Sequence, residues 1–190
     1  MKRDTILIFE DNPIDRAILV ELFQSEYKIL EASNGKEGLA LLNSHFSSIA
    51  IVLLDNLMPV MGGFAVLEHL KEKNIPNKIP FIMITGEDSP EMERKGYEYG
   101  IISYLKKPYQ AEVVKQVVYN AVGWFQYKTQ LEMMVKKQNI NIQKQNSVLR
   151  QQAKKLNQVN EILIDSLSNI VEFRNMEPKQ HIKRILEYSL

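Results

Sequence analysis

The 190-residue sequence contains no cysteine, one tryptophan and only three histidines, which are His45, His69 and His181. The lack of cysteine excludes disulfide bonds and thiolate chemistry. Long apolar runs are also lacking, since none approaches the roughly 20 residues that a membrane-spanning helix needs. The first apolar run, Ile6–Phe9, is too short for a signal peptide. We therefore expect a cytoplasmic chain without a membrane partner.

A strong charge of either sign is lacking as well, because the formal net charge is +1. Acidic residues exceed basic ones in residues 1–122, and basic residues exceed acidic ones in residues 123–190. The basic residues of the second portion are spread out, which is typical of a solvated helix surface and not of a nucleic-acid interface. A nucleic-acid partner is therefore not expected, and no helix-turn-helix-like segment supports a DNA-binding regulator.

What the sequence does contain is an alternation of apolar runs and amphipathic segments in residues 1–122. The predicted strands are Thr5–Phe9, Tyr27–Ala32, Ile49–Leu54, Ile79–Ile84 and Ile101–Leu105. Helix starts are predicted between them, for example at Asn12-Pro13, where asparagine suits the N-cap and proline the first turn. Continuous apolar strands separated by helices predict an α/β fold with a parallel sheet covered on both faces. Five such units favour a doubly wound sheet over an eight-stranded barrel.

Reactive side chains stand at the ends of four of these strands. Glu10 and Asp11 follow the first strand, Asp55 the third, Thr85 the fourth, and Lys107 comes shortly after the fifth. The carboxyl ends of parallel strands converge on one crevice, so we expect these side chains to meet there. Three adjacent carboxylates repel one another, and a hard cation such as Mg²⁺ relieves that repulsion. A carboxylate can also attack phosphorus, so we predict that Asp55 is a phosphoacceptor whose phosphoryl charge is met by Lys107 and Thr85.

With these residues in place, residues 1–122 resemble a response-regulator receiver domain of two-component signalling. The motifs that carry the resemblance are Glu10-Asp11, the segment from Leu54 to Gly63, Thr85-Gly86, Tyr104 and Lys107-Pro108. The resemblance implies a flavodoxin-like sheet with strand order 2-1-3-4-5. It also implies a histidine kinase as the partner that supplies the phosphoryl group.

The same resemblance assigns roles within the predicted site. It implies that Mg²⁺ is held by Glu10, Asp11, Asp55 and the backbone carbonyl of Leu57. It makes Asp55, Thr85 and Lys107 the catalytic set, and it makes Thr85 and Tyr104 the switch residues. A cis peptide bond between Lys107 and Pro108 is a further expectation.

Residues 123–168 are predicted to be a helical linker, because Gln126 to Gln158 contains neither glycine nor proline. Apolar residues recur every seven positions, and mostly polar residues occupy the complementary d positions. The a positions are Val135, Ile142, Leu149, Leu156, Leu163 and Ile170, and the d positions are Leu131, Gln138, Gln145, Gln152, Val159 and Ser166. This pattern favours a parallel coiled coil that makes a homodimer through residues 131–170. A lone amphipathic helix that lies on another surface stays open as the alternative.

Residues 169–190 carry a second resemblance, to the opening of an HD-GYP-type domain, a family of metal-dependent phosphodiesterases that hydrolyse cyclic di-GMP. Glu177 and His181 match the first metal-ligand pair of that family, whereas Pro178-Lys179 departs from its common Thr-Gly. The later histidines of such a site are missing, and two ligands do not make a catalytic metal site. We therefore expect a truncated output domain and no phosphodiesterase activity. On this interpretation the chain is not an enzyme, beyond its own phosphorylation and dephosphorylation.

Two interpretations of different classes follow from the sequence. The first is a phosphorylation-controlled switch that acts on an output domain through the linker. The second is a phosphorylation-independent dimerisation or scaffold module that only positions the output domain. Magnesium-dependent labelling by a small phosphoryl donor separates them.

Overall fold

A computed structural model of the chain describes residues 3–72, 75–86, 89–108 and 110–187, except for the side chains of residues 171–187. Two compact units divide the chain, Met1–Leu131 and Glu132–Leu190. The first unit contains the sheet. Among the described residues, no helix combines the length and apolar character that crossing a membrane requires.

The first unit alternates strands and helices, as the sequence predicts. The strands are β1 (Thr5–Phe9), β2 (Lys28–Ala32), β3 (Ile49–Asp55), β4 (Phe81–Thr85) and β5 (Ser103–Lys106). The helices are α1 (Pro13–Phe23), α2 (Gly35–His45), α3 (Gly63–Lys71), α4 (Pro90–Glu98) and α5 (Ala111–Glu187). Side chains of Asn12, Asn34 and Ser89 cap α1, α2 and α4, because each accepts a hydrogen bond from a backbone N–H of the first turn.

The sheet is five-stranded and its order is β2-β1-β3-β4-β5, with every neighbouring pair parallel. The predicted doubly wound fold and its strand order are thus confirmed. The order reverses between β1 and β3, so the crevice outside their carboxyl ends is the place where ligands bind in such sheets.

Successive residues of the central strands enter two different cores, because side chains alternate across a sheet. Leu7 and Phe9 of β1 pack in the core beneath α2 and α3, whereas Ile6 and Ile8 pack in the core beneath α1 and α5. All seven residues of β3 are buried. A strand that is covered on both faces holds Asp55 at its end in a firmly packed position.

Several strand boundaries differ from the predicted ones by one or two residues. β4 begins at Phe81 instead of Ile79, and β5 begins at Ser103 instead of Ile101. Proline at position 80 has no N–H to donate to a neighbouring strand, which accounts for the later start of β4. The carboxyl ends, where the predicted site lies, shift by only one residue.

Helix α5 runs through the predicted receiver boundary at residue 122 without interruption. Its residues up to Leu131 belong to the first unit, and its later residues make up the described part of the second. Within that later part, the side chains of the predicted a positions are roughly half exposed, from Val135 at 49% to Ile170 at 63%. The domain boundaries at residues 122 and 168 stay predictions.

Candidate functional site

Three carboxylates meet at the carboxyl edge of the sheet. Glu10 and Asp11 follow β1, Asp55 is the last residue of β3, and the parallel pairing of these two strands brings their ends together. One oxygen from each carboxylate lies within 4.8 Å of the others. Glu10 is completely buried and Asp55 is 5% exposed, whereas Asp11 faces solvent. Strand register therefore produces the acidic cluster that the sequence predicts.

Lys107 supplies a cation to this cluster. Its Nζ atom lies 2.8 Å from Asp55 Oδ2, 2.8 Å from Glu10 Oε2 and 3.0 Å from Asp15 Oδ2. The residue is placed by the loop after β5, where its backbone N–H donates to the carbonyl of Thr85 over 2.8 Å. The Lys107–Pro108 peptide bond is cis, as expected.

The pKa shifts show that the cluster is short of positive charge. Burial raises the pKa of the Glu10 carboxyl to about 7, and nearby Asp55 adds to this rise while Lys107 opposes it. Burial by itself lowers the pKa of Lys107, but its contacts with Asp55, Glu10 and Asp15 outweigh burial, so its pKa lies above the ordinary value. Lys107 is therefore a permanent cation.

The donor atoms of the cluster fit a magnesium ion. Glu10 Oε2 is buried beside the Lys107 ammonium, yet no hydrogen bond of good geometry reaches it among the described residues. A buried anionic oxygen without a directed donor is suited to a metal ligand, and three carboxylates match the oxygen preference of Mg²⁺. Receiver domains bind Mg²⁺ at an acidic pocket of this kind.

Asp55 is oriented by donors on both of its oxygens. Oδ2 accepts from Lys107, and Oδ1 accepts from the backbone N–H of Leu57 over 3.1 Å. Leu57 thus borders the site, while the predicted role of its carbonyl as a metal ligand stays a prediction. Gly62 and Gly63 allow the chain to turn closely after Asp55. A Cβ on Gly63 would lie 2.6 Å from the Asp55 carbonyl oxygen, and one on Gly62 would lie 2.9 Å from the Asn56 carbonyl oxygen.

The two predicted switch residues lie on β4 and β5. Thr85 is the last residue of β4 and is 4% exposed, and its neighbour Ile84 pairs with Asp55 across the sheet. Tyr104 on β5 donates its hydroxyl to the carbonyl oxygens of Met92 and Glu93 in α4, over 2.9 and 3.2 Å. Burial raises the pKa of Tyr104 to about 12, so the hydroxyl keeps the proton that these bonds need. Tyr104 therefore ties β5 to α4.

Sequence reasoning missed three residues that shape this site. Asp15 contacts Lys107, and Arg16 donates from Nη1 to the Glu10 carbonyl over 2.7 Å and pairs with Glu31. Gly96 in α4 makes room for Tyr104, because a Cβ on Gly96 would overlap the tyrosine hydroxyl. The available signal was the position of Asp15 in the first turn of α1. It could not be used before the orientation of α1 was known.

The second predicted metal pair lies outside the described side chains. Glu177 and His181 fall in the part of α5 for which only the backbone is described.

The sheet, its acidic edge and the lysine beside it define an α/β domain with an acidic site at the carboxyl ends of its strands, and comparison with known proteins identifies its family. Residues 6–119 match the family described as the response regulator receiver domain, so the chain belongs to this family. The family acts in two-component signalling. The resemblance noted in the sequence is confirmed.

Similarity to two phosphodiesterases extends past the receiver domain. The "Probable cyclic di-GMP phosphodiesterase" of Vibrio cholerae is 30% identical over 184 residues, which are 97% of this chain and 40% of the relative. The "Cyclic di-GMP phosphodiesterase" of Thermotoga maritima is 27% identical over 186 residues, which are 95% of this chain and 48% of the relative. The chain thus spans less than half the length of either relative. These relatives are consistent with the resemblance of residues 170–184 to an HD-GYP opening.

Among solved structures, the fold is similar to CheY of Borrelia burgdorferi in a structure described as a CheX–CheY–BeF3–Mg complex. The TM-score is 0.58 and the sequence identity 26%, over 62% of this chain and 87% of that chain. This structural similarity confirms the flavodoxin-like receiver fold independently of the family match.

Proposed function

We propose that this chain is the regulatory portion of a response regulator that accepts a phosphoryl group on Asp55 from a histidine kinase. Receiver domains are phosphorylated by histidine kinases, which is the coarser fact behind the proposal. The observation that carries it is the environment of Asp55. Its carboxylate ends a buried strand, receives the Lys107 ammonium at 2.8 Å and stands among the acidic side chains of Glu10 and Asp11.

The proposed step is a transfer between two heteroatoms. An oxygen of Asp55 forms a bond to phosphorus as the bond from phosphorus to a histidine nitrogen of the kinase breaks, and the imidazole takes up a proton. Glu10, Asp11, Asp55 and the Leu57 carbonyl would hold Mg²⁺, which when bound supplies positive charge to the phosphoryl oxygens. The three carboxylate roles rest on the acidic cluster described above, and the role of the Leu57 carbonyl rests on the resemblance to receiver domains.

Side chains and a backbone N–H of the protein stabilise the remaining negative charge of the phosphoryl group. Lys107 is already directed at Asp55 and can follow the new phosphoryl oxygens, and the N–H of Leu57 can turn from Asp55 to one of them. Thr85 offers a hydroxyl at the end of the neighbouring strand. Fixed donors of this kind need little rearrangement as the charge develops.

Signal transmission is proposed to run through β5 and α4. If Thr85 moves toward the phosphoryl group, the space available to the Tyr104 ring changes. A movement of the ring would alter its two hydrogen bonds to α4 and so shift that helix. The change would reach an HD-GYP-like cyclic di-GMP phosphodiesterase region through α5. The two relatives support this class of output domain, because the phosphodiesterase activity is the one that their names give for them.

The competing proposal is a scaffold that dimerises without phosphorylation, which the half-exposed apolar a positions of α5 favour. Incubation with acetyl phosphate and Mg²⁺, followed by intact-mass measurement, distinguishes the two. We expect one added phosphate on the wild type, none on Asp55→Asn, and none when EDTA replaces Mg²⁺. Asp165→Asn, the same chemical change in the helix beyond the receiver, is the matched control and should be labelled like the wild type. An unlabelled wild type would leave the scaffold proposal standing.

A further inference from the structure

One of the three carboxylates beside Lys107, that of Asp15, lies outside the group that could hold the metal. That group is Glu10, Asp11 and Asp55, whereas Asp15 lies on the other side of the cation, with Oδ2 3.0 Å from Lys107 Nζ. The side chains of Asp15 and Lys107 are 28% and 22% exposed. The Asp15 carboxylate therefore competes with Asp55 and Glu10 for the Lys107 ammonium group, and it does so from the more exposed side of the site.

The first turn of α1 holds Asp15 in this position. Asn12 Oδ1 accepts from the backbone N–H of Ile14 over 2.9 Å and from that of Asp15 over 3.4 Å, which fixes the start of the helix. Arg16, the next residue, is occupied elsewhere, since it bonds the carbonyls of Glu10 and Asp11 and pairs with Glu31. Its charge is thus directed to the loop after β1 and to Glu31 of β2, while Asp15 contacts Lys107.

An ammonium group has three donor hydrogens, and three carboxylate oxygens lie within 3.0 Å of Lys107 Nζ. A phosphoryl group on Asp55 adds oxygen acceptors that also need this cation. We propose that Asp15 is a positioning residue that draws Lys107 toward α1 and so weakens the hold of the site on an anion at Asp55. The inference rests on the proposed function, because it concerns how that site treats a phosphoryl group.

The direction of the effect follows from the other two contacts. Without the charge of Asp15, Lys107 still has Asp55 and Glu10 at 2.8 Å each, so its position over the site is kept. The competition for its donors disappears, so the ammonium can be directed wholly at the incoming anion. Because the Asp15–Lys107 pair is partly exposed, we expect a roughly two- to five-fold effect and not a larger one.

The test uses beryllofluoride with saturating Mg²⁺ and measures its affinity for the full chain by calorimetry. Asp15→Asn should bind beryllofluoride roughly two- to five-fold more tightly than the wild type. Asp15→Glu, which keeps the charge, should return to within about two-fold of the wild type. Glu21→Gln removes the same charge from the exposed face of α1 and should leave the affinity unchanged.

A double-mutant cycle tests whether Asp15 acts through Lys107. In a Lys107→Gln background, the further change Asp15→Asn should alter beryllofluoride affinity by less than about 1.5-fold. An undiminished gain in that background would mean direct repulsion of the anion, and the positioning role would be wrong. An Asp15→Asn affinity equal to or below that of the wild type would overturn the inference alone. A wild type that binds no beryllofluoride would overturn the proposed function as well.

Discussion

At the scale of residues, burial of the Glu10 carboxylate is the most unfavourable electrostatic term of the site. Its carboxyl is completely buried among other acids, and Lys107 is the cation beside it. An arrangement of this kind is unfavourable for a folded protein without metal, and it is retained where charge is needed for binding. The acidic cluster is thus a place where stability is reduced in favour of function.

Because burial of Glu10 is unfavourable for the charged form, the free energy of unfolding should depend on pH when EDTA removes Mg²⁺. The pKa of Glu10 is raised to about 7 by burial, above its ordinary value of 4.5, so the folded state binds more protons than the unfolded state between these values. The contribution of Glu10 to wild-type stability should therefore fall as the pH rises from about 4.5 to 7. Glu10→Gln removes this term, and its advantage over the wild type should grow across that range to about 1–3 kcal/mol.

Urea unfolding of both proteins at pH 5 and pH 8 measures the difference. The comparison cancels the titration of all other groups, because they are common to both proteins. An advantage of Glu10→Gln that is equal at the two pH values would contradict the proposed burial of a high-pKa carboxyl.

Val60, in the loop between β3 and α3, has a left-handed backbone with φ of 68° and is 82% exposed. A β-branched residue is costly in that region, whereas asparagine adopts it readily. We expect Val60→Asn to raise the free energy of unfolding by about 1 kcal/mol. Thermal unfolding checks this, with Val113→Asn on the helical α5 as the control that should gain nothing. A loss of stability in Val60→Asn would show that the side chain of Val60 has a packing role.

At the scale of elements, the contact between β5 and α4 depends on a missing side chain. Gly96 leaves the space that the Tyr104 hydroxyl occupies, and Tyr97 packs edge-on against the Tyr104 ring at 5.4 Å between centroids. The helix thus accepts the tyrosine at a position where most residues would exclude it. This makes α4 the element most directly coupled to Tyr104.

Alanine at position 96 should displace Tyr104 from α4. Glycine-to-alanine changes inside helices ordinarily stabilise by about 0.5–1 kcal/mol, as we expect for Gly123→Ala, where nothing lies near the added Cβ. Gly96→Ala should instead destabilise by about 1–3 kcal/mol because of overpacking. In a Tyr104→Ala background the same change should become neutral or stabilising. Chemical denaturation of the four proteins measures the cycle, and equal effects of Gly96→Ala in both backgrounds would refute the steric account.

The elements and the principal site residues were predictable because both depend on local patterns. Apolar runs mark the strands, and the strand ends identify Asp55, Glu10 and Asp11 once the sheet is taken as parallel. The roles of Asp15 and Gly96 were not predictable, since they depend on how α1 and α4 are rotated against the sheet. Strand starts were the least accurate, as at Pro80, where the missing N–H delays pairing in a way that apolar character does not reveal.

At the scale of the whole molecule, the later part of α5 carries apolar side chains that a lone helix leaves in water. Ile142 and Leu149, at adjacent predicted a positions, are 52% and 60% exposed. Fully burying such a side chain contributes roughly 1.5–3 kcal/mol, so pairing of two chains has a driving force, while polar d positions such as Gln145 weaken it. A parallel homodimer through residues 131–170 stays our prediction.

Charges placed on the apolar stripe should abolish this dimer. Ile142→Lys with Leu149→Lys puts like charges in two successive layers, and sedimentation should show a monomer where the wild type is a dimer. Ser147→Lys with Gln151→Lys adds the same charge away from the stripe and should remain dimeric. If the first pair dimerises like the wild type, the heptad account is wrong and another surface joins the chains.

The central claim is that Asp55 receives the phosphoryl group, and locating the phosphate on the chain tests it most directly. After treatment with acetyl phosphate and Mg²⁺, borohydride reduces an aspartyl phosphate to homoserine, which peptide mass spectrometry can assign to one position. We predict homoserine at position 55, in a yield that falls when Mg²⁺ is removed. Homoserine at position 11 or 15 with none at position 55, or none anywhere in the chain, would contradict the account.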